Sequence, residues 1–440
     1  MRITHPRVPY YPDLRASFIQ LPCCMFSDLS PVDVAHLPDH VAEIVDDEAT
    51  LARLLKAVRR HLHMHPEVGM QERNTSRFIR RTLEGYGLTV HGPVASTGLY
   101  VDIEGTAGSG GHVGYRADID ALPAHDQKPV PYRSQKPNVA HLCGHDAHTA
   151  VAIGVTLLLH EHRDMLRGTV RVFFQPNEEG LPSGAPLMVR SGVLDGLDAV
   201  YAIHVDPTLA VGRYGLITGP ATAASDRFDV YVCQEGTGHS ARPHDSADTV
   251  WIANQLMNQF YQLAGRVTDA RNASVLTVCR LCGSEAHNVI PETVSFGGTL
   301  RTISTTDRRT IRRHMHGIAE RFSSMYNVQI NVDVEDGAPP VVNDPALIDN
   351  VAATVREMHG EEAIYAIPQS SMGGEDFSYY LKHVPGAYIR VGTSSGDDTS
   401  YPLHHHRFDI DENALEPAVR LMCRVLVNHL KNDIVGGAAA

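Results

Sequence analysis

Residues 141–150, HLCGHDAHTA, carry the densest chemistry of the chain. Cys143 and His145 stand two apart, so from an extended turn both side chains can point the same way, and thiolate and imidazole are strong metal ligands. Gly144 between them suits a tight turn. A buried structural cysteine beside a helix-capping aspartate is the other reading of this stretch. In FFQPNEEG an apolar run leads straight into Glu178 and Glu179. Two adjacent carboxylates are costly there unless something positive neutralises them. A metal ion would do so, and because neighbouring residues project differently, one carboxylate can bind metal while the other holds an attacking water as general base. A solvated loop at a strand end is the competing reading.

His204 closes the apolar run AVYAIHVDP. It falls at the C-terminal end of an expected strand, where open α/β sheets place their sites, although a lone histidine there also serves structure. Asp118 and Asp120, in GYRADIDALP, lie on one side of another strand end, as carboxylates able to orient ligands or hold a second metal. LHHHRFDI adds His404, His405 and His406. The 26 histidines of the chain gather at 61–65, 141–148 and 404–406, and clustered imidazoles are what a metal site requires. Metal-competent residues at several strand ends of one pattern argue together for what none establishes alone. Cys279 and Cys282, in CRLC, have the gap of a zinc-ribbon or redox motif. No second such pair exists, and the surrounding SVLTVCRLCG reads as a strand in which cysteines act as small hydrophobes.

These residues need a scaffold of alternating elements. From about Asp46, DDEATLARLLKAVRRHLHMHP has apolar residues near helical spacing and stops at Pro66, predicting the first helix of the folded body. GLYVDIEG, HVGYRADID, TVRVFFQP and DAVYAIHVD read as strands and TAVAIGVTLLLHEH as a helix, an α/β layer pattern. After Gly219 and Pro220 a self-contained βαββαβ set follows, which is ferredoxin-like. It closes at GAPPVVNDP, and the earlier style resumes with PALIDNVAATVREMHG, GAYIRVG and ALEPAVRLMCRVLVNHLK. The expected division is an N-terminal extension (1–45), a catalytic domain in two parts (46–221 and 337–435), a small inserted domain (222–336) and a tail (436–440).

At 440 residues the chain exceeds the roughly 250–300 residues that one core sustains, which favours two domains. A net charge of −13 without a strong basic cluster excludes a nucleic-acid groove, and no run of about 18 apolar residues offers a membrane span. Seven scattered cysteines point to a reducing compartment. The proline-rich start lacks a sustained apolar core and a small-residue cleavage site, so a cytoplasmic location is expected. Residues 1–45 read either as an arm on the body or as a disordered extension.

HPEVGMQE, RADIDALP, CGHDAHTA, FFQPNEEG, AIHVDP, GHSARPH, HNVIPETVSFGGTLRT, GGEDFSYYL and LHHHRFDI occur in the order found in hippurate hydrolases and indoleacetyl-amino-acid hydrolases. Over about residues 50–432 the chain closely resembles this amidohydrolase branch of the aminoacylase and carboxypeptidase metallopeptidases. The resemblance implies a catalytic domain with a mixed sheet flanked by helices, and it makes the inserted domain a lid and dimerisation domain. It also implies two divalent metal ions per subunit, with Cys143, His145, Glu179, His204 and His404 as ligands and Glu178 as catalytic base. Cys143 would bridge the metals, and Asp120 would steady a ligand. His239, Asn288 and Arg301 are implied near the substrate, Arg301 because its fork pairs with a carboxylate and His239 for a developing oxyanion.

The implied reaction is hydrolysis of the amide bond of an N-acyl amino acid by a homodimer, with a tetramer as the larger alternative. Zinc suits the mixed donor set, as do manganese, cobalt and nickel. Against the usual pattern, Ala147 replaces glycine, Gly374 replaces serine and His405 replaces asparagine. The last two lie in loops expected to contact substrate. A dipeptidase or aminopeptidase of the same superfamily, and a non-catalytic metal-stabilised binding protein, are the rival readings. Glu375 and Asp376 receive no chemical step.

Overall fold

The structure is a computed structural model and describes residues 47–432 and 434. The expected extension (1–45) and tail (436–440) lie outside the described residues. Helix α1 (Glu48–Met64) is N-capped by Asp47, which accepts from Thr50 N at 3.1 Å, and it buries Leu51, Leu54, Leu55, Val58 and Leu62 on one stripe. Helix α2 (Arg73–Gly85) follows, then strands β1 (His91–Val94), β2 (Gly98–Glu104) and β3 (His112–Asp118). Helix α3 (His145–Glu161) is buried on every side from His145 to Leu159, as expected of a helix that is apolar all round. Strand β4 (Thr169–Gln175), helix α4 (Ala185–Arg190), and strands β5 (Ala199–Ala210) and β6 (Tyr214–Leu216) complete the first part.

The inserted unit runs through β7 (Ala224–Cys233), α5 (Thr249–Leu263), β8 (Ser274–Cys282), β9 (Thr293–Thr302), α6 (Thr305–Tyr326) and β10 (Gln329–Glu335). Its sheet has the order β8-β9-β7-β10 with every pair antiparallel, the arrangement a βαββαβ unit adopts when two split βαβ units interleave. The buried core includes Phe228, Val230, Ile252, Phe260, Phe296 and Ile311 and draws only on the inserted unit. The chain then returns through α7 (Pro345–His359), β11 (Ile364–Ala366), β12 (Gly386–Ser394) and α8 (Leu415–Lys431).

The large sheet has the order β1-β2-β4-β3-β5-β12-β6-β11. Its centre, β4-β3-β5-β12, is parallel and its margins carry antiparallel pairs, so it is mixed. The parallel centre collects several C-terminal strand ends at one edge. Asp118 ends β3, Glu178 and Glu179 follow β4, and His204 lies midway along β5, which runs on beyond its partner β3. In register, Arg390 of β12 sits opposite His204.

One local expectation changes. Cys143 and His145 do not share an extended turn, because Gly144 adopts φ +90° as the N-cap and His145 is already the first residue of α3. A Cβ on Gly144 would collide with the Val205 side chain, so glycine is required both for the left-handed backbone and for this close approach. Strands β6 and β11 escaped sequence analysis because three residues carry no periodicity. Helix α2 escaped it because its arginine-rich face leaves only Thr75, Ile79, Thr82 and Leu83 buried.

Candidate metal centre

A cleft of about 670 Å³ lies at the strand ends, beneath the inserted unit, and is lined by Cys143, Glu178, Glu179, His204, Arg301 and His404 among others. His145 Nδ1 donates to the Asp120 carbonyl oxygen at 2.9 Å, and His204 Nδ1 donates to the Val205 carbonyl oxygen at 2.7 Å. Each bond fixes a tautomer and leaves Nε2 with a free lone pair, the way metal-binding histidines are usually held. His204 Nε2 lies 3.5 Å from Cys143 Sγ, and the buried His145 Nε2 has no hydrogen-bond partner. On the other side of the cysteine, His404 Nε2 is 3.0 Å from Glu179 Oε1. His404 reaches it from a backbone at φ +66°, held by its own N–H donating to the Leu142 carbonyl at 2.7 Å. His405 and His406 stack on one another instead, with ring centroids 4.1 Å apart.

Cys143 therefore belongs to two donor groups, one with His145 and His204 and one with Glu179 and His404. Within each group the ligand atoms lie within 4.8 Å of one another. Burial, and then the Glu179 carboxylate, push the Cys143 thiol well above its usual range, so a thiolate here needs a cation beside it. Burial followed by Glu375, Glu179 and Asp376 raises Glu178 well above the usual carboxylate range. Burial opposes a charge on His145, yet Asp118 and Cys143 outweigh it and raise that imidazole. Such a set of thiol, imidazole and carboxylate donors, short of positive charge, fits divalent metal cations.

Asp120 and Asp118 work behind these donors. The Asp120 carboxylate accepts from Glu179 N at 3.0 Å and lies 3.1 Å from His145 Nδ1. Asp118 accepts from Arg116 Nη1 at 2.6 Å and from His148 Nδ1 at 2.6 Å, which occupies both of its oxygens. His148, which sequence analysis missed, uses its other nitrogen to accept from Val205 N at 3.0 Å. Both ring nitrogens are thus engaged, and His148 braces the strand end next to His204.

Glu375 and Asp376 also find a place. Arg116, fully buried, donates to Asp118, Glu375 (3.1 Å) and Asp376 (2.8 Å). Glu375 further accepts from Tyr388 OH at 2.7 Å, and Asp376 from Ser183 Oγ. Burial outweighs Arg116 and pushes Asp376 up to about 7. Asp376 N reaches Glu178 Oε1 at 3.4 Å, tying this loop to the cleft. The pattern RADID carried a hint, since a strand arginine with aspartates two and four residues on must neutralise carboxylates wherever it is buried.

A second buried network backs the Cys143–His145 turn. Arg59 of α1 pairs with Asp146 at 2.9 Å, Asp409 at 2.6 Å and Glu412 at 3.3 Å, joining α1, the start of α3 and the segment after His404.

Of the three residues expected near substrate, only Arg301 lines the cleft. His239 and Asn288 are exposed, at a short ribbon in which Gly238–His239 pairs with Val289–Ile290. Both residues therefore lie outside the cleft lining, on a ribbon of the inserted unit. Cys279 and Cys282 are exposed free cysteines on edge strand β8. Their strand placement holds, and as small hydrophobes they lie on the exposed side of that strand. Among the described residues no helix is long and apolar enough to cross a membrane.

The family model described as Peptidase family M20/M25/M40 matches residues 114–428. The chain is similar to N-acetyl-L-cysteine deacetylase of Bacillus subtilis (strain 168), at 38% identity over 369 residues covering 83% of this chain and 86% of that protein. It is also similar to IAA-amino acid hydrolase ILR1-like 4 of Arabidopsis thaliana, at 33% identity over 413 residues covering 91% and 93%. Among solved structures, a dinuclear metal-binding peptidase of the M20 family from Bacillus subtilis matches with a TM-score of 0.77 at 32% identity, over 88% of this chain and 99% of that one. On the family match, the fold and these relatives together, the chain belongs to peptidase family M20/M25/M40.

Proposed function

We propose that this protein is a metal-dependent amidohydrolase that cleaves the amide bond of N-acyl amino acids. The observation that carries this is the sharing of Cys143 between two donor groups, with Glu178 on the same wall of the cleft. Cys143, His145, Glu179, His204 and His404 are the residues that would hold two divalent cations, with Asp118 and Asp120 supporting them. When bound, the cations supply Lewis acidity toward a water and the amide carbonyl. Glu178 takes the proton of the attacking water and passes it to the leaving amine. The group must hold the proton between the two transfers. Arg301 binds the substrate carboxylate through its fork.

Zinc, manganese, cobalt and nickel are the proposed metals, and the cytoplasm is the proposed location. The domain limits 46–221, 222–336 and 337–435 are proposed on the separate core of the inserted unit. A homodimer, formed through that unit, is supported by its exposed apolar residues. Val275 and Leu281 lie on edge strand β8, and Val250, Trp251 and Tyr261 lie on α5; an unpaired apolar edge invites a partner.

The test is hydrolysis of hippurate and N-acetyl amino acids by metal-stripped protein, with and without added manganese, zinc or cobalt. Metal-dependent release of free amino acid is the expected result. Dipeptide cleavage without it would replace the proposal by a peptidase, and inactivity on both panels would support a binding protein.

A further inference from the structure

Arginines around the cleft fall into two kinds. Arg116 and Arg308 are saturated, Arg116 by Asp118, Glu375 and Asp376, and Arg308 by Asp226 and Asp336. Arg227, Arg301 and Arg390 also line the cleft, yet none of their guanidinium groups makes a hydrogen bond or ion pair among the described residues. Arg227 (β7) and Arg301 (β9) descend from the inserted sheet. Arg390 rises from the large sheet in register with His204, its guanidinium 5.1 Å from the Tyr388 ring centroid. Glu335 stands opposite Arg227 in the register of β10 on β7 without coming within ion-pair distance.

Burial and then the neighbouring Arg227 cation lower Arg301 from its usual value, with Asp226 opposing them. Gly374 makes room for this arrangement, since a Cβ there would lie 3.2 Å from Arg301 Nη1 and 3.0 Å from Ser225 Cβ. One planar carboxylate fills one guanidinium fork. A substrate with a single carboxylate therefore leaves cationic donors of this cleft unanswered, and those donors sit on both of its walls.

Resting on the amidohydrolase reading, we propose that the cleft selects N-acyl amino acids bearing a second carboxylate, with Arg390 and the Arg227–Arg301 pair as the specificity-determining residues. One carboxylate is held from the inserted sheet and the other beside His204. The second carboxylate can be the side chain of an acidic amino acid or the far end of a dicarboxylic acyl group; the chemistry recognised is the same.

The experiment compares kcat/KM of the full-length, manganese-loaded enzyme for matched pairs. N-acetyl-glutamate is set against N-acetyl-glutamine, and N-succinyl-alanine against N-butyryl-alanine. At least one dianion is expected to exceed its monoanionic partner by about ten- to a hundredfold, the scale of one lost charge-assisted hydrogen bond, and the winning pair identifies the source. Arg390→Gln should shrink that ratio and Arg390→Lys should restore part of it, whereas Arg227→Gln should lower kcat/KM for both members of a pair. Equal rates within both pairs overturn the inference, as does a preference untouched by Arg390→Gln. If no substrate is turned over, the amidohydrolase reading fails by itself and calorimetric binding of glutarate against butyrate decides the inference: tighter glutarate sustains it, equal binding overturns it.

Discussion

Asp120 and Glu179, 59 residues apart in sequence, are joined by a hydrogen bond of 3.0 Å from the Glu179 backbone N–H to Asp120 Oδ2. The same carboxylate lies 3.1 Å from His145 Nδ1, so one side chain touches two proposed ligands, one at the start of α3 and one in the segment after β4. Asp120→Ala removes the Glu179 tether and leaves His145 held by the backbone carbonyl of residue 120 alone. Metal affinity, measured by competition with a chelator, is expected to fall about 10- to 100-fold while the circular dichroism spectrum is kept. An unchanged affinity would deny Asp120 this role.

Arg59 is the sole cation within ion-pair distance of Asp146 and of Asp409 among the described residues apart from His63, and it shares Glu412 with Lys56 and Arg60. Arg59→Met would leave buried carboxylates uncompensated, a change that typically costs about 3–5 kcal/mol. Guanidinium unfolding of the metal-free protein should show a loss of that order. A loss below about 1 kcal/mol would mean that the carboxylates relax or protonate without strain.

His141 is buried with neither ring nitrogen partnered, and burial lowers it from 6.5 to about 3. Between those values the unfolded chain binds the proton and the folded chain does not. Stability from this residue is thus fully present above the unfolded value and is lost as pH falls, by about 1.4 kcal/mol per pH unit. His141→Phe removes that slope, so its melting temperature relative to the parent should rise between pH 7.5 and pH 5. Parallel pH profiles for the two proteins would contradict this.

Much of this was legible in the chain. The βαββαβ order, the strands of the large sheet and the motifs around Cys143, Glu178 and His204 are local patterns, and local patterns survive in one sequence. What was not legible depends on burial. His148 is one helical turn from His145, and nothing in its spacing says that Asp118 and Val205 occupy both its nitrogens. The roles of Glu375 and Asp376 appear only when β3 brings Arg116 beneath them, over a separation of 259 residues for the first. His239 and Asn288 carried a persuasive motif, yet their position off the cleft is set by the ribbon they share.

The most direct test of the central claim is Glu178→Gln, with metal content and turnover measured on the same sample. Glutamine keeps the size of the side chain but cannot take a proton, while Cys143, His145, Glu179, His204 and His404 are untouched. The account predicts a full metal complement and a kcat lower by about 10²- to 10⁴-fold or more on N-acyl amino acids. Near-normal turnover with metal retained would remove Glu178 as the base and with it the mechanism proposed here.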